Sequence, residues 1–131
     1  MIDATLINLT PHDITVQLAG DTGGSYTISP SGIIARCQTE YTTVAQVRTE
    51  EVIDGDEYEQ TFNIRERYFN EPQDLPDPVE GTLYIVSRIV AEACADSRDD
   101  LLMVDGTIRS MDGRIVGCEA FARWPVVGDA Q

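Results

Sequence analysis

The sequence predicts an α+β domain: a mostly antiparallel β-sheet with one clear helix at about residues 87–95. Three observations carry that expectation. Short β-type runs alternate with turn residues through the first half of the chain. Two Asp-Gly pairs in the second half, Asp105-Gly106 and Asp112-Gly113, are flanked by β-branched residues, the pattern of tight hairpins. One stretch behind Ser87 carries apolar residues at helical spacing.

In chain order, Leu6-Ile7-Asn8-Leu9 is followed by the turn signature Thr10-Pro11-His12-Asp13. Ile14-Thr15-Val16-Gln17-Leu18 then alternates apolar and polar with period two, and the two runs read as adjacent strands. Glycines crowd the next turn, but no Gly-Lys-Ser/Thr follows, which argues against a phosphate loop. Tyr26-Thr27-Ile28 is a third strand, ended by the breaker Ser29-Pro30-Ser31-Gly32. Ile33 to Cys37 and Tyr41 to Arg48 read as two more.

Residues 50–80 hold eleven acids against Arg65 and Arg67, a net charge of −9, and are expected to be an acidic hairpin or loop region turned by Asp54-Gly55. A calcium loop is the sharper reading of that cluster, but the Asp-x-Asp-x-Asp-Gly spacing with a Glu at the twelfth position is not met. Pro72, Pro76 and Pro78 make the following stretch an extended connector. Leu83-Tyr84-Ile85-Val86 is an apolar strand, and Ser87 is the expected N-cap of a helix from Arg88 to Ala95 with Ile89, Val90, Ala93 and Cys94 on its buried face. Leu101 to Val104, Thr107 to Ser110 and Ile115 to Phe121 complete the sheet, joined by turns at Asp105-Gly106 and Met111 to Arg114. Residues 1–131 are expected to form a single α+β domain.

Composition narrows the function. The chain has 131 residues, 23 carboxylates and nine cations, a formal net charge of −14, and every cation is Arg. At 42% hydrophobic residues it fills a core, unlike a disordered acidic tail. So much negative charge argues against nucleic-acid and anionic-membrane partners, both of which are met by basic surface. The absence of Lys reads as adaptation to a high-salt cytoplasm, where repulsion between carboxylates is screened within about 3 Å. No run is long and apolar enough for a membrane span and no secretory signal opens the chain, so a soluble intracellular protein is expected. Cys37, Cys94 and Cys118 are odd in number and lie among apolar or small neighbours, the usage of buried hydrophobes. With one histidine, His12, and no Cys-x-x-Cys, neither a metal nor another cofactor is expected. A nucleophilic site would need that same His12, whose place in a turn suits a turn or capping role at least as well. A carboxylate-based hydrolase has no pair singled out by spacing, and the chain is expected not to be an enzyme.

The positive charge is unevenly spread. Residues 1–83 carry fifteen acids and four Arg, net −11, whereas residues 84–123 carry seven acids and five Arg, net −2. Arg kept in a chain that otherwise avoids cations invites a phosphate- or carboxylate-binding reading. The alternative is local pairing, Arg98 with Asp96 or Asp99 and Arg114 with Asp112. Arg109 is the foremost candidate, mid-strand and away from adjacent acids, and Tyr84 is the foremost aromatic, on the strand that feeds the helix, with a core or interface tyrosine as the alternative.

Several blocks of the chain resemble a family of small proteins of tailed phages and prophages: Asn8-Leu9-Thr10-Pro11-His12-Asp13; Pro30-Ser31-Gly32 with Ala35-Arg36; Leu75-Pro76-Asp77-Pro78 with Gly81 to Ser87; Arg98-Asp99-Asp100-Leu101; and Ile108-Arg109 with Asp112 to Cys118. The layout is also similar to the Thoeris anti-defence proteins, which sequester a cyclic ADP-ribose immune signal. That resemblance implies a homo-oligomeric binding protein in the host cytoplasm, with a cyclic nucleotide held where protomers meet. It implies Tyr84 stacking on a base and Arg109, with Arg98 or Arg36, holding phosphates. The alternative expectation is a virion accessory or capsid-decorating structural protein of a tailed virus of a halophilic host.

Overall fold

The computed structural model describes residues 1–20 and 23–125. Its elements are β1 (Thr5–Asn8), β2 (Ile14–Gln17), β3 (Ser25–Ile28), β4 (Thr39–Ile53), β5 (Asp56–Phe69), β6 (Thr82–Ile85), α1 (Arg88–Ala93), β7 (Leu101–Arg109) and β8 (Ile115–Ala122). The chain is a mostly-sheet α+β protein with a single short helix among the described residues. It divides into two compact units, one being the segment Gln38–Asn70 and the other the chain on either side of it. The acidic 50–80 region is therefore shared: its first part belongs to the β4–β5 ribbon and its last part to the returning connector.

The larger unit is a six-stranded sheet in the order β1-β6-β7-β8-β2-β3. β7 with β8 and β2 with β3 are antiparallel, but β1 with β6, β6 with β7 and β2 with β8 are parallel. Within this unit the sheet is mixed, and the antiparallel character expected of it is concentrated in two pairs. β1 and β2 are not neighbours, contrary to the sequence expectation: β1 lies beside β6, and β2 between β3 and β8. The side chain of Asn8, not a hairpin ladder, satisfies the turn that follows β1, so β2 is free to pair elsewhere. Asn8 also forms a parallel bridge to Pro30, just past β3, with Ser31 N donating to Asn8 O at 2.9 Å. The two edges of the sheet meet there.

Period-two alternation on β6 divides the core. Tyr84 and Val86 join Leu9, Ala35, Val90, Ala91, Cys94 and Leu101 on the helix side. Ile85, fully buried, joins Ile14, Val16 and Cys118 on the other. Burying such an aliphatic side chain is worth about 1.5–3 kcal/mol, and these two clusters fix which face of each strand looks inward.

Ser87 caps α1 as its sequence suggests, with an extended backbone (φ −65°, ψ 158°) and its hydroxyl accepting from Val90 N at 3.4 Å. The helix ends at Ala93, short of the expected Ala95, and its buried stripe is Val90, Ala91 and Cys94, leaving Ile89 42% exposed. The stripe has turned by one position because α1 docks on β7, a neighbour that its own periodicity does not identify.

Two further expectations are corrected. Ile33 to Cys37 is not a strand: Ala35 N donates to Leu9 O at 3.1 Å, which ties the segment to the end of β1, and only Arg36 pairs, with Gln73. Asp105-Gly106 does not turn the chain but lies inside the continuous strand β7, with Asp105 opposite Ala120 and Thr107 opposite Cys118. Gly106 has φ +66°, so the residue supplies a left-handed kink without breaking register. A Cβ there would lie 2.7 Å from Glu119 Oε2, which can swing away, and 3.1 Å from Glu119 Cβ, which cannot, so a tight contact adds to the backbone strain. Gly106→Ala is expected to cost about 1–2 kcal/mol in urea unfolding.

In the second unit, β4 and β5 form one antiparallel ladder from Thr39↔Phe69 to Ile53↔Asp56, with a bulge between Thr43 and Ala45. Asp54 and Gly55 both have positive φ (54° and 84°), the two-residue turn that suits the twist of a hairpin and that Asp-Gly predicts. Every residue from 40 to 68 is exposed.

Candidate functional site

The four residues singled out from the sequence do not form one site. Tyr84 is 3% exposed, lies in the core cluster on the helix side, and its hydroxyl donates to Asp77 O at 3.3 Å. A ring so enclosed presents no free face to a base and takes the place of a core tyrosine. Arg98 lies close to it, with its guanidinium carbon 6.0 Å from the ring centroid. The fork of Arg98 is occupied: Nε and Nη2 each donate at 2.8 Å to the two oxygens of Asp100, not to Asp96 or Asp99. That hydrogen bonding raises the Arg98 pKa, and both side chains are largely buried. This is a structural clamp that pins the turn after α1. Arg109 is exposed and folds back onto its own hairpin, Nη1 donating to Gly113 O at 2.8 Å. Across that turn Asp112 accepts from the Ser110 hydroxyl and the Arg114 backbone N–H, which lowers its pKa. Arg36 is exposed, its backbone bridged to Gln73.

None of these four residues lines the large cavity of the six-stranded unit, of ≈ 520 Å³. Its walls come from the β1–β2 turn, the start of α1, β7, β8 and the segment after β8. The side chains with chemistry are His12 and Asp13 from the turn, Ser87 and Arg88 from the helix start, Asp105 from β7 and Trp124 after β8. His12 is the chain's one histidine and Trp124 its one tryptophan.

Asn8 positions the turn. It is 1% exposed and uses its whole amide: Nδ2 donates to His12 O at 2.8 Å and to Ile28 O at 3.1 Å, while Oδ1 accepts from Thr10 N at 2.9 Å and Thr10 Oγ at 2.7 Å. A satisfied buried amide of this kind is rigid, because any rotation orphans a backbone group. Rigid backbone at residues 10–12 sets where His12 and Asp13 meet the cavity. On the far wall, Gly117 lets β8 come close to β2, since a Cβ there would lie 3.0 Å from Thr15 O. Trp124 lines the cavity and packs against the helix-side core cluster; its Nε1 is buried and, among the described residues, has no hydrogen-bond acceptor. Cys118 also lines the cavity, and burial pushes its thiol pKa up.

The walls thus combine one large aromatic, one guanidinium, two carboxylates, an imidazole and the hydroxyl residues Ser87, Thr10, Thr15 and Thr107 around an apolar floor that includes Ile14, Val86 and Met103. Among the described residues no three His, Cys, Asp or Glu side chains gather as metal ligands, and no helix is long and apolar enough to cross a membrane. Ser87 is legible as a cap and Arg88 lies off the helix's expected buried face, so nothing local marks their shared place at the cavity. The lone Trp124 was the available signal, since a single tryptophan just past the last strand must pack against something large. No family model, curated protein or solved structure matches this chain.

Proposed function

We propose that the protein binds a nucleotide-type small molecule in the ≈ 520 Å³ cavity and sequesters it without turnover. The observation that carries this reading is the meeting of Trp124, Arg88 and the carboxylates Asp13 and Asp105 around one cavity of the size that small-molecule sites have. A nucleotide asks for that set: an aromatic for its base, acceptors for ribose hydroxyls, and a guanidinium for phosphate. The phage-family resemblance makes a cyclic ADP-ribose or cyclic dinucleotide immune signal the first ligand class to try, in a host cytoplasm. Trp124 and Arg88 take the roles first assigned to Tyr84 and Arg109.

Trp124 is a built-in reporter. Titration with a cyclic-nucleotide panel at molar salt is expected to change its fluorescence and to release heat, and Arg88→Ala is expected to weaken binding by about tenfold or more. No heat and no fluorescence change with any member of the panel sinks the reading. The second reading, a virion accessory or capsid-decorating protein, is favoured by the β4–β5 ribbon, whose residues 40–68 are exposed throughout. Stoichiometric copies in purified particles would support it.

A further inference from the structure

The β4–β5 ribbon has two unlike faces. Register places Val47 with Phe62, Ala45 with Ile64 and Glu51 with Tyr58 on one of them. Its centre is apolar and open to solvent: Val47 is 41%, Ile64 43% and Phe62 54% exposed. The other face carries exposed Tyr41 and Val52 toward its ends and is polar and self-satisfying in its middle. There Arg48 Nη1 lies 3.1 Å from Glu59, and Gln46 Nε2 donates to Asn63 at 2.9 Å. A two-stranded ribbon alone is marginal in water and needs a second layer on its apolar side.

We infer that this layer is a second copy of the chain, with two ribbons stacked apolar face to apolar face about a two-fold axis through the Val47–Phe62 pair. Area supports it. A ribbon of 14-residue strands is about 45 Å long and about 10 Å wide, so stacking two buries on the order of 1,000 Å² in all, the least that a specific interface needs. The pattern is self-complementary as well. At the axis Val47 and Phe62 meet their counterparts, Ala45 and Ile64 lie over Thr49 and Gln60 of the other copy, and the Tyr58 end of one copy lies against the Glu66 end of the other. Charge agrees: all three Arg of the ribbon, Arg48, Arg65 and Arg67, fall on the opposite face by register, and the neutral centre seeks another apolar surface. Molar salt screens the repulsion between two acidic copies. The inference stands apart from the cavity and its ligand.

The test is sedimentation of the full chain across micromolar concentrations in molar KCl. The wild-type chain is expected to dimerise. Phe62→Asp is expected to raise the dissociation constant at least about 30-fold, and Thr61→Asp, the same charge on the other face, by less than about threefold. Unchanged Trp124 fluorescence and far-UV dichroism in Phe62→Asp show that the fold persists. A wild-type chain that stays monomeric, or two variants that weaken association equally, overturns the inference. A photo-crosslinker at position 62 gives an independent readout. Ribbon-to-ribbon products between copies support the stacked dimer, and products confined within one chain overturn it.

Discussion

Replacing Asp100 by Ala is expected to destabilise the protein by about 3–5 kcal/mol, because it leaves the Arg98 guanidinium desolvated and without its partner. The side chains of Arg98 and Asp100 are only 13% and 10% exposed, and both arms of the fork are engaged at 2.8 Å. That degree of burial separates the pair from surface ion pairs such as Arg48 with Glu50, whose contribution is near zero to 1 kcal/mol. In thermal unfolding the variant is expected to melt roughly 10–20 °C lower. The double variant Arg98→Met with Asp100→Leu is expected to recover much of the loss, since an apolar pair of similar volume needs no charge compensation. A single-variant cost below about 1 kcal/mol would mean that water reaches the pair and screens it.

Asn8→Ala is expected to cost about 3 kcal/mol and, unlike the Asp100 variant, to loosen the cavity. Removing the amide deprives Thr10 N of its acceptor and the carbonyls of His12 and Ile28 of a donor. Each buried group left unsatisfied costs about 1–3 kcal/mol, although the exposed turn recovers part of that from water. Asn8→Asp preserves shape but turns a carboxylate toward two carbonyl oxygens, so it is expected to do no better than Ala. Hydrogen exchange checks the local effect: amides of residues 10–13 are expected to lose protection before those of β6 and β7. Equal protection across all of them would mean that Asn8 serves global stability and not the turn.

The gap between sequence and structure follows from the range of the interactions involved. Asp54-Gly55 was legible because a two-residue turn with two positive φ angles is decided by those residues themselves. Ser87 was legible for a similar reason, since the cap and the Val90 N–H it serves are three residues apart. The turn at residues 10–13 was legible from Pro11 and Asp13, though not that Asn8 builds it. Asp105-Gly106 misled because the same dipeptide that turns a hairpin also serves as a kink within a strand, and only pairing with β8 distinguishes the two.

The candidate site was less legible than the fold. Its walls are drawn from positions as far apart as His12, Arg88, Asp105 and Trp124, and no local pattern links them. Tyr84 and Arg98 do lie together, as a binding pair would, yet Asp100 and the core have claimed them. By itself the sequence determined the turns at residues 10–13, 54–55 and 111–114, the helix cap, the alternation along β2 and an acidic composition without Lys, all of which arise within a few residues or from composition. The tertiary structure decided that β1 pairs in parallel with β6 and not with β2, which face of each strand meets the helix, and where a cavity remains. Those choices rest on long-range packing, in which each strand's partner is set by which buried faces fit and not by which residues are near in the chain.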